Sequence, residues 1–180
     1  MKKTILGLFA LTLASCSTQG DFKITNTSIG PLSSESAVTE LKTLFVNDSL
    51  VDQTLNSDFT VPKGAVTVYE KGGKKLLLLT PKTTESDATI GQIQVFDNRY
   101  TTPEGVHLGS TFKDISDNYT INRVENLFNT IVVFVDESDV FFSIDKKNLP
   151  GEVRFDVDVK IELSQIPDDA PIKYLQMLWE

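Results

Sequence analysis

Cysteine, histidine and tryptophan each occur once in these 180 residues, at Cys16, His107 and Trp179. One cysteine cannot close a disulfide within the chain. One cysteine and one histidine also fall short of the several such ligands that a zinc site requires. A Ser-His-Asp site would have to be built on His107, whose setting, EGVHLGS, reads as a glycine-flanked surface loop. Basic residues number 17 against 25 acidic ones, a net charge of −8. That balance argues against a nucleic-acid partner and against a polybasic grip on anionic lipid; it suits solubility, or a basic partner. Phosphate-binding fingerprints are missing, since GVHLGS and EKGGKK match neither a P-loop nor a dinucleotide motif. The acidic stretches DESD (136–139) and PDD (167–169) could supply oxygens to a hard cation, but lack the regular spacing of a calcium loop. Paired carboxylates of the glycosidase kind are too plentiful in an acidic chain to point anywhere. A membrane-spanning run is also missing. Residues 5–14 are mostly apolar, but a bilayer core of about 30 Å needs about 20 such residues as a helix.

What that short run does have is the layout of a secretory signal: Lys2 and Lys3, then the apolar stretch, then small residues. It ends in Leu13-Ala14-Ser15-Cys16. This tetrad resembles the lipobox of bacterial lipoproteins, an aliphatic residue, two small residues and a cysteine. The resemblance implies cleavage before Cys16, a thioether from its sulfur to diacylglycerol, and a further acyl chain on the new amine. It explains a lone thiol, because a thioether to lipid needs no partner cysteine. Each buried methylene adds about 0.8 kcal/mol of membrane affinity, and two or more chains hold stably. Apart from these covalent acyl groups no cofactor is expected. Ser17, where an aspartate would favour inner-membrane retention in enteric bacteria, implies the periplasmic face of the outer membrane. The chain thus divides into a signal peptide (1–15), a lipidated cysteine with a short polar tether (16–21), and one domain (22–180), with possible halves at 22–98 and 99–180.

Apolar content of 40% is enough for a core, and eleven phenylalanines against one tryptophan place most aromatic surface inside it. Residues 22–28 read as a first strand, closed by a turn at Gly30 and Pro31. Residues 36–45 carry apolar side chains at helical spacing, with Ser34 or Ser36 as cap. A strand is expected over 51–56. The stretch 65–80 reads as a hairpin turning on Gly72 and Gly73 in a two-residue primed turn, with Lys71, Lys74 and Lys75 as a solvated basic tip. Residues 76–79, apolar on both faces, mark a central strand ended by Pro81. A strand and a long loop follow over 88–109. A short helix follows over 110–119, with Thr111 and Asp114 at capping-box spacing. Residues 130–145 form a hairpin with its tip at 136–139. Residues 153–163 alternate apolar and polar without a break and read as the clearest strand of all, and 172–180 as the last. The fold class is therefore α+β: a mostly antiparallel sheet with two short helices. The two turn-helix segments, about 80 residues apart, suggest a duplicated turn-helix-strands unit.

Beyond the lipobox, residues 24–32, 105–111 and 175–179 resemble the turn-helix junctions and tryptophan-ended strand of small envelope-stress (sigma-E-regulated) lipoproteins of unknown function. That likeness implies a fold and a location, not a reaction. The expectation is a membrane-anchored envelope lipoprotein, a non-catalytic binding or assembly module with an envelope protein as possible partner. An anchored enzyme inhibitor of the lysozyme-inhibitor kind is the alternative, and a carboxylate-dependent hydrolase ranks behind it.

Overall fold

The computed structural model describes residues 22–53 and 62–180. Cys16, its lipobox and the tether lie outside the described residues. Eight strands make one antiparallel sheet: β4 (Ser49–Asp52), β5 (Val66–Tyr69), β6 (Lys75–Pro81), β7 (Ile90–Val95), β8 (Ile121–Asn126), β9 (Thr130–Val135), β10 (Val140–Asp145) and β11 (Ile172–Leu178). Their spatial order is β4-β5-β6-β7-β11-β10-β9-β8. Two four-stranded meanders thus meet along their last strands, β7 against β11.

Register explains why the sheet has one dry face. A single cross-strand row runs Leu50, Val68, Leu77, Val95, Leu175, Phe142, Val133, Val124 across all eight strands. One residue along, the opposite face carries Val51, Thr67, Leu78, Gln94, Gln176, Phe141, Phe134 and Arg123. Side chains alternate faces along a strand, so a slip of one residue would exchange the two rows and drown the core. The six central members of the first row are essentially inaccessible. Where β7 meets β11, Gln94 faces Gln176 on the wetter side.

The dry face is covered by a small sheet and two short helices. The small sheet has three two-residue strands, β1 (Ile24–Thr25), β2 (Ser28–Ile29) and β3 (Leu32–Ser33), which bury Ile24, Ile29 and Leu32. The single strand expected over 22–28 is therefore broken at Asn26 and Thr27, where the chain turns back. The next turn uses Gly30 at φ 55°, as its glycine suggests. The helix expected over 36–45 is a 3-10 turn (Val38–Glu40) running into α1 (Leu41–Leu44), with Leu41 and Phe45 buried. Neither Ser34 nor Ser36 caps it. The Glu40 carboxylate accepts from Ala37 N–H at 2.8 Å, while the Ser36 hydroxyl accepts from Ser33 N–H at 3.0 Å. The second expected helix is α2 (Phe112–Asn118), burying Phe112 and Ile115. The Asp114 carboxylate accepts from both the N–H (2.7 Å) and the hydroxyl (3.0 Å) of Thr111.

Each half is closed by the same pair of bonds. In the first, Val38 N–H donates to Ala88 O and Ile90 N–H to Ser36 O; in the second, Phe112 N–H donates to Ala170 O and Ile172 N–H to Ser110 O. Ser110 repeats the role of Ser36, its hydroxyl accepting from His107 N–H at 3.2 Å.

Other expectations shift. The strand expected over 51–56 is β4, two residues earlier, and its residues 54–56 lie outside the described residues. The β5–β6 turn is closed by Glu70 N–H to Lys74 O around residues 71–73, one residue longer than the expected two-residue turn. Strand β8 was not expected, because an edge strand with only Ile121 and Val124 apolar gives little periodicity. The largest correction concerns residues 153–163. They form no strand but α3 (Gly151–Arg154), an irregular run, and the start of a 3-10 turn (Leu163–Gln165). Val153 and Ile161 are buried, whereas Phe155, Val157, Val159 and Leu163 are exposed. Alternation gives a segment two faces but not a neighbour. Both edges of β10 and both edges of β11 are already paired, and the Asn126 side-chain amide takes up the carbonyls of Asp156 (2.9 Å) and Val159 (2.8 Å) instead.

Candidate functional site

A polar cleft of about 550 Å³ opens where the small sheet, the end of α2 and the β9–β10 tip converge. Its walls carry the carboxyl side chains of Glu104, Asp136 and Glu137 and no lysine, arginine or histidine. The hairpin tip is where sequence alternation placed it, with Glu137 in the left-handed region at φ 56°, a conformation that costs a non-glycine residue energy and is held by its surroundings. Asn26 supplies part of that hold, donating from Nδ2 to Glu137 O at 2.7 Å. Asn26 is itself fixed by the Trp179 indole, which donates to Asn26 O at 2.8 Å. Asp136 accepts from Asn122 Nδ2 at 2.7 Å, and its N–H donates to Thr120 O at 2.9 Å.

On the opposite wall the Tyr119 hydroxyl donates to the Glu104 carboxylate, and the Tyr119 ring leans on Phe142 with centroids 5.8 Å apart. Burial first, and then the hydrogen bond to Glu104, push the Tyr119 phenol well above its ordinary range. It therefore stays a neutral donor at physiological pH. The cleft presents fixed oxygen acceptors and negative charge. That arrangement suits a ligand bearing N–H donors and positive charge.

The other sequence candidates fall outside this cleft. His107 is half-buried in its loop, and its Nδ1 accepts from Gly109 N–H at 3.0 Å. In the 167–169 stretch the Asp168 carbonyl takes the N–H of Lys113, and the Pro167 carbonyl takes that of Ala170. Among the described residues no group of three His, Cys, Asp or Glu is placed to hold a metal ion. The basic tip is not simply solvated. Lys74 pairs with Asp97 at 3.0 Å, and Lys75 sits 3.7 Å over the Phe96 ring.

Asp97 is the polar centre that sequence reasoning missed. Its side chain is fully inaccessible and meets Arg99 Nη2 at 2.6 Å, Arg99 Nε at 3.1 Å, Arg99 N–H at 3.0 Å and Lys74 Nζ at 3.0 Å. Burial would raise its pKa, but the hydrogen bonds from Arg99 and Lys74 win and hold it down at about 2. Arg99 also pairs with Glu70 at 2.8 Å and lies 4.1 Å over the Phe22 ring. The network locks the end of β7 to the β5–β6 hairpin. Its one signal in the sequence is an acid and a base two residues apart at a strand end.

No protein-family model and no curated protein sequence matches the chain. Among solved structures, the chain is similar to the uncharacterized protein yfeY from Escherichia coli. The likeness has a TM-score of 0.56 at 13% identity and covers 87% of this chain and 99% of that one. At that identity the likeness is one of fold alone.

Proposed function

We propose that this protein is a lipid-anchored lipoprotein of a Gram-negative envelope, on the periplasmic face of the outer membrane, whose domain is a non-catalytic binding module. The observation that carries the anchor is the position of the only cysteine, Cys16, at the end of Leu13-Ala14-Ser15 behind a charged and then apolar leader. Acyl chains there would hold the domain within a short tether of the bilayer and raise its effective concentration near envelope partners. No described helix is long and apolar enough to cross a membrane. The test is Cys16→Ser in producing cells. The wild type should sediment with the envelope and the variant should move to the soluble fraction. Equal retention of both would end the anchored reading.

The binding half of the proposal rests on the cation-free cleft of Glu104, Asp136 and Glu137. Its chemistry fits a basic segment of an envelope protein. The same feature favours a second reading, inhibition of a basic enzyme of the lysozyme kind. Lysis assays with added purified protein separate the two. A loss of lysis that Glu104→Gln with Asp136→Asn restores would support the inhibitor. No effect, together with a crosslinked envelope partner that the same variant loses, would support the assembly module.

A further inference from the structure

Exposed apolar side chains are not spread evenly over the surface. Phe128 and Phe155 are 81% and 85% exposed, more than any other large apolar side chain described, and Leu127, Val157 and Val159 add to them. They come from two places in the sequence, the β8–β9 turn and the run after α3. Asn126 joins the two, because its side chain binds the carbonyls of Asp156 and Val159. Between the two phenylalanines lies a cleft of about 350 Å³ whose charged lining is Lys146, Lys147 and Arg154 against a single carboxylate, Asp145.

That carboxylate is already engaged, 3.0 Å from Lys173 and 3.7 Å from Lys147. Lys146 is buried, with Nζ donating to Asp156 O at 3.2 Å. Arg154 gives Nη2 to Leu149 O at 2.8 Å, while its Nε is buried with no hydrogen-bond partner. Asn148 Nδ2, on the adjoining turn, is a second buried donor in the same condition. On a protein of net charge −8, this is a local excess of positive charge with unspent donors, rimmed by aromatic rings standing in solvent. Of the acids on the neighbouring run, Glu162 lies 3.4 Å from Lys160 and Asp156 accepts from Asp158 N–H at 2.9 Å; neither Asp156 nor Asp158 lines the cleft.

We infer that this corner docks on a phospholipid bilayer. A phosphate headgroup occupies the cleft between Lys147 and Arg154, and the rings of Phe128 and Phe155 enter the headgroup–acyl boundary. A phospholipid offers both chemistries at one spot: an anion for the donors and hydrocarbon for the rings. Clusters of exposed aromatics of this kind mark interaction surfaces. The inference rests on the anchored reading for its setting, since acyl chains on Cys16 would bring the domain to the bilayer and this corner would fix which face meets it. The acidic cleft of Glu104 is built from other elements, and the docked corner leaves it to a separate partner.

The test uses the full chain carrying Cys16→Ser, so that no acyl chain on the protein contributes. It is mixed with phosphatidylglycerol vesicles containing a photoreactive acyl chain, and the crosslinked residues are mapped by mass spectrometry. Adducts are expected at residues 127–128 and 155–159. Phe128→Ser with Phe155→Ser should cut them at least tenfold, and Lys147→Glu severalfold, with the thermal unfolding midpoint unchanged in each. Absence of adducts at these residues would overturn the inference. So would saturable binding of inorganic phosphate at Lys147 and Arg154 without adducts, which would make the cleft a site for free anions. The intact mass of the chain isolated from cells, read separately, reports on acylation of Cys16 alone, so either proposal can fail while the other stands.

Discussion

The two halves of the sheet are built on one plan and finished differently. Each begins with a turn, a buried serine and a short helix, and each ends in a strand that meets its counterpart at the centre. Between the last two strands of the first half the chain spends residues 82–89; between the last two of the second it spends residues 146–171. Just past β7 the first half places Asp97, itself sealed from water beneath the part-exposed Lys74 and Arg99. Just past β11 the second half places Trp179, which reaches over to Asn26. The first half is closed by charge pairing. The second opens into a long excursion that carries the exposed Phe155, Lys147 and Lys160. The two halves share one framework, and the added surface chemistry gathers where they differ.

Core truncations at matched positions bear on this contrast most strongly. Leu79 and Phe142 pair with Ile93 and Leu175 respectively, at corresponding places in the two meanders, and neither is exposed. Leu79→Ala should cost about 2–5 kcal/mol and Phe142→Ala about 3–5 kcal/mol. Because β7 and β11 are hydrogen-bonded neighbours, urea unfolding of each variant should still show one transition. Two transitions, each moved by only one variant, would make the halves independent units.

Next in size is Asp97→Asn, with an expected loss of about 2 kcal/mol at neutral pH. That figure follows from a folded pKa of about 2 against an ordinary 3.8, at about 1.4 kcal/mol per unit. The folded pKa is the lower one, so the stabilisation is complete above the unfolded value and is lost as pH falls through about 4 toward 2. Stability of wild type and variant measured from pH 7 to pH 2 should therefore converge at the acid end. A constant gap would contradict the ion-pair account.

The helix caps should behave alike in both halves. Glu40→Ala and Asp114→Ala each remove a carboxylate that binds the first free N–H of its helix. Each should cost about 1 kcal/mol, and thermal unfolding of both checks the equivalence. The smallest effect is expected at Phe155→Ser, within about 0.5 kcal/mol of wild type. Were residues 153–163 a core strand, the same change would cost as much as Phe142→Ala.

That last comparison also shows where the sequence could be read and where it could not. Strands flanked by strong local signals were legible: the Gly72-Gly73 turn, the apolar run at 76–79, and the hairpin tip at 136–139. The capping pair Thr111 and Asp114 marked α2 for the same reason. Residues 153–163 carried the cleanest alternation and were misread, because periodicity describes a segment's faces and not whether it pairs: Asn126 of the edge strand β8 holds this run through its side chain instead of a ladder. Strand β8 went unseen for the converse reason, a vacant edge accepting a segment with little pattern of its own. The acidic cleft was half legible. Its 136–139 wall was picked out as a charged tip, but the approach of Glu104 and Tyr119 is a tertiary event. Asp97 lay below notice because a buried carboxylate is recognisable only once Lys74 and Arg99 are seen to surround it.

The anchor is the claim on which location and tethering both depend, and the intact mass of the protein isolated from the envelope of producing cells tests it most directly. A chain beginning at Cys16 and carrying diacylglycerol and an amide-linked acyl chain is the result expected. A chain that retains Met1, or one whose Cys16 is unmodified, would contradict it.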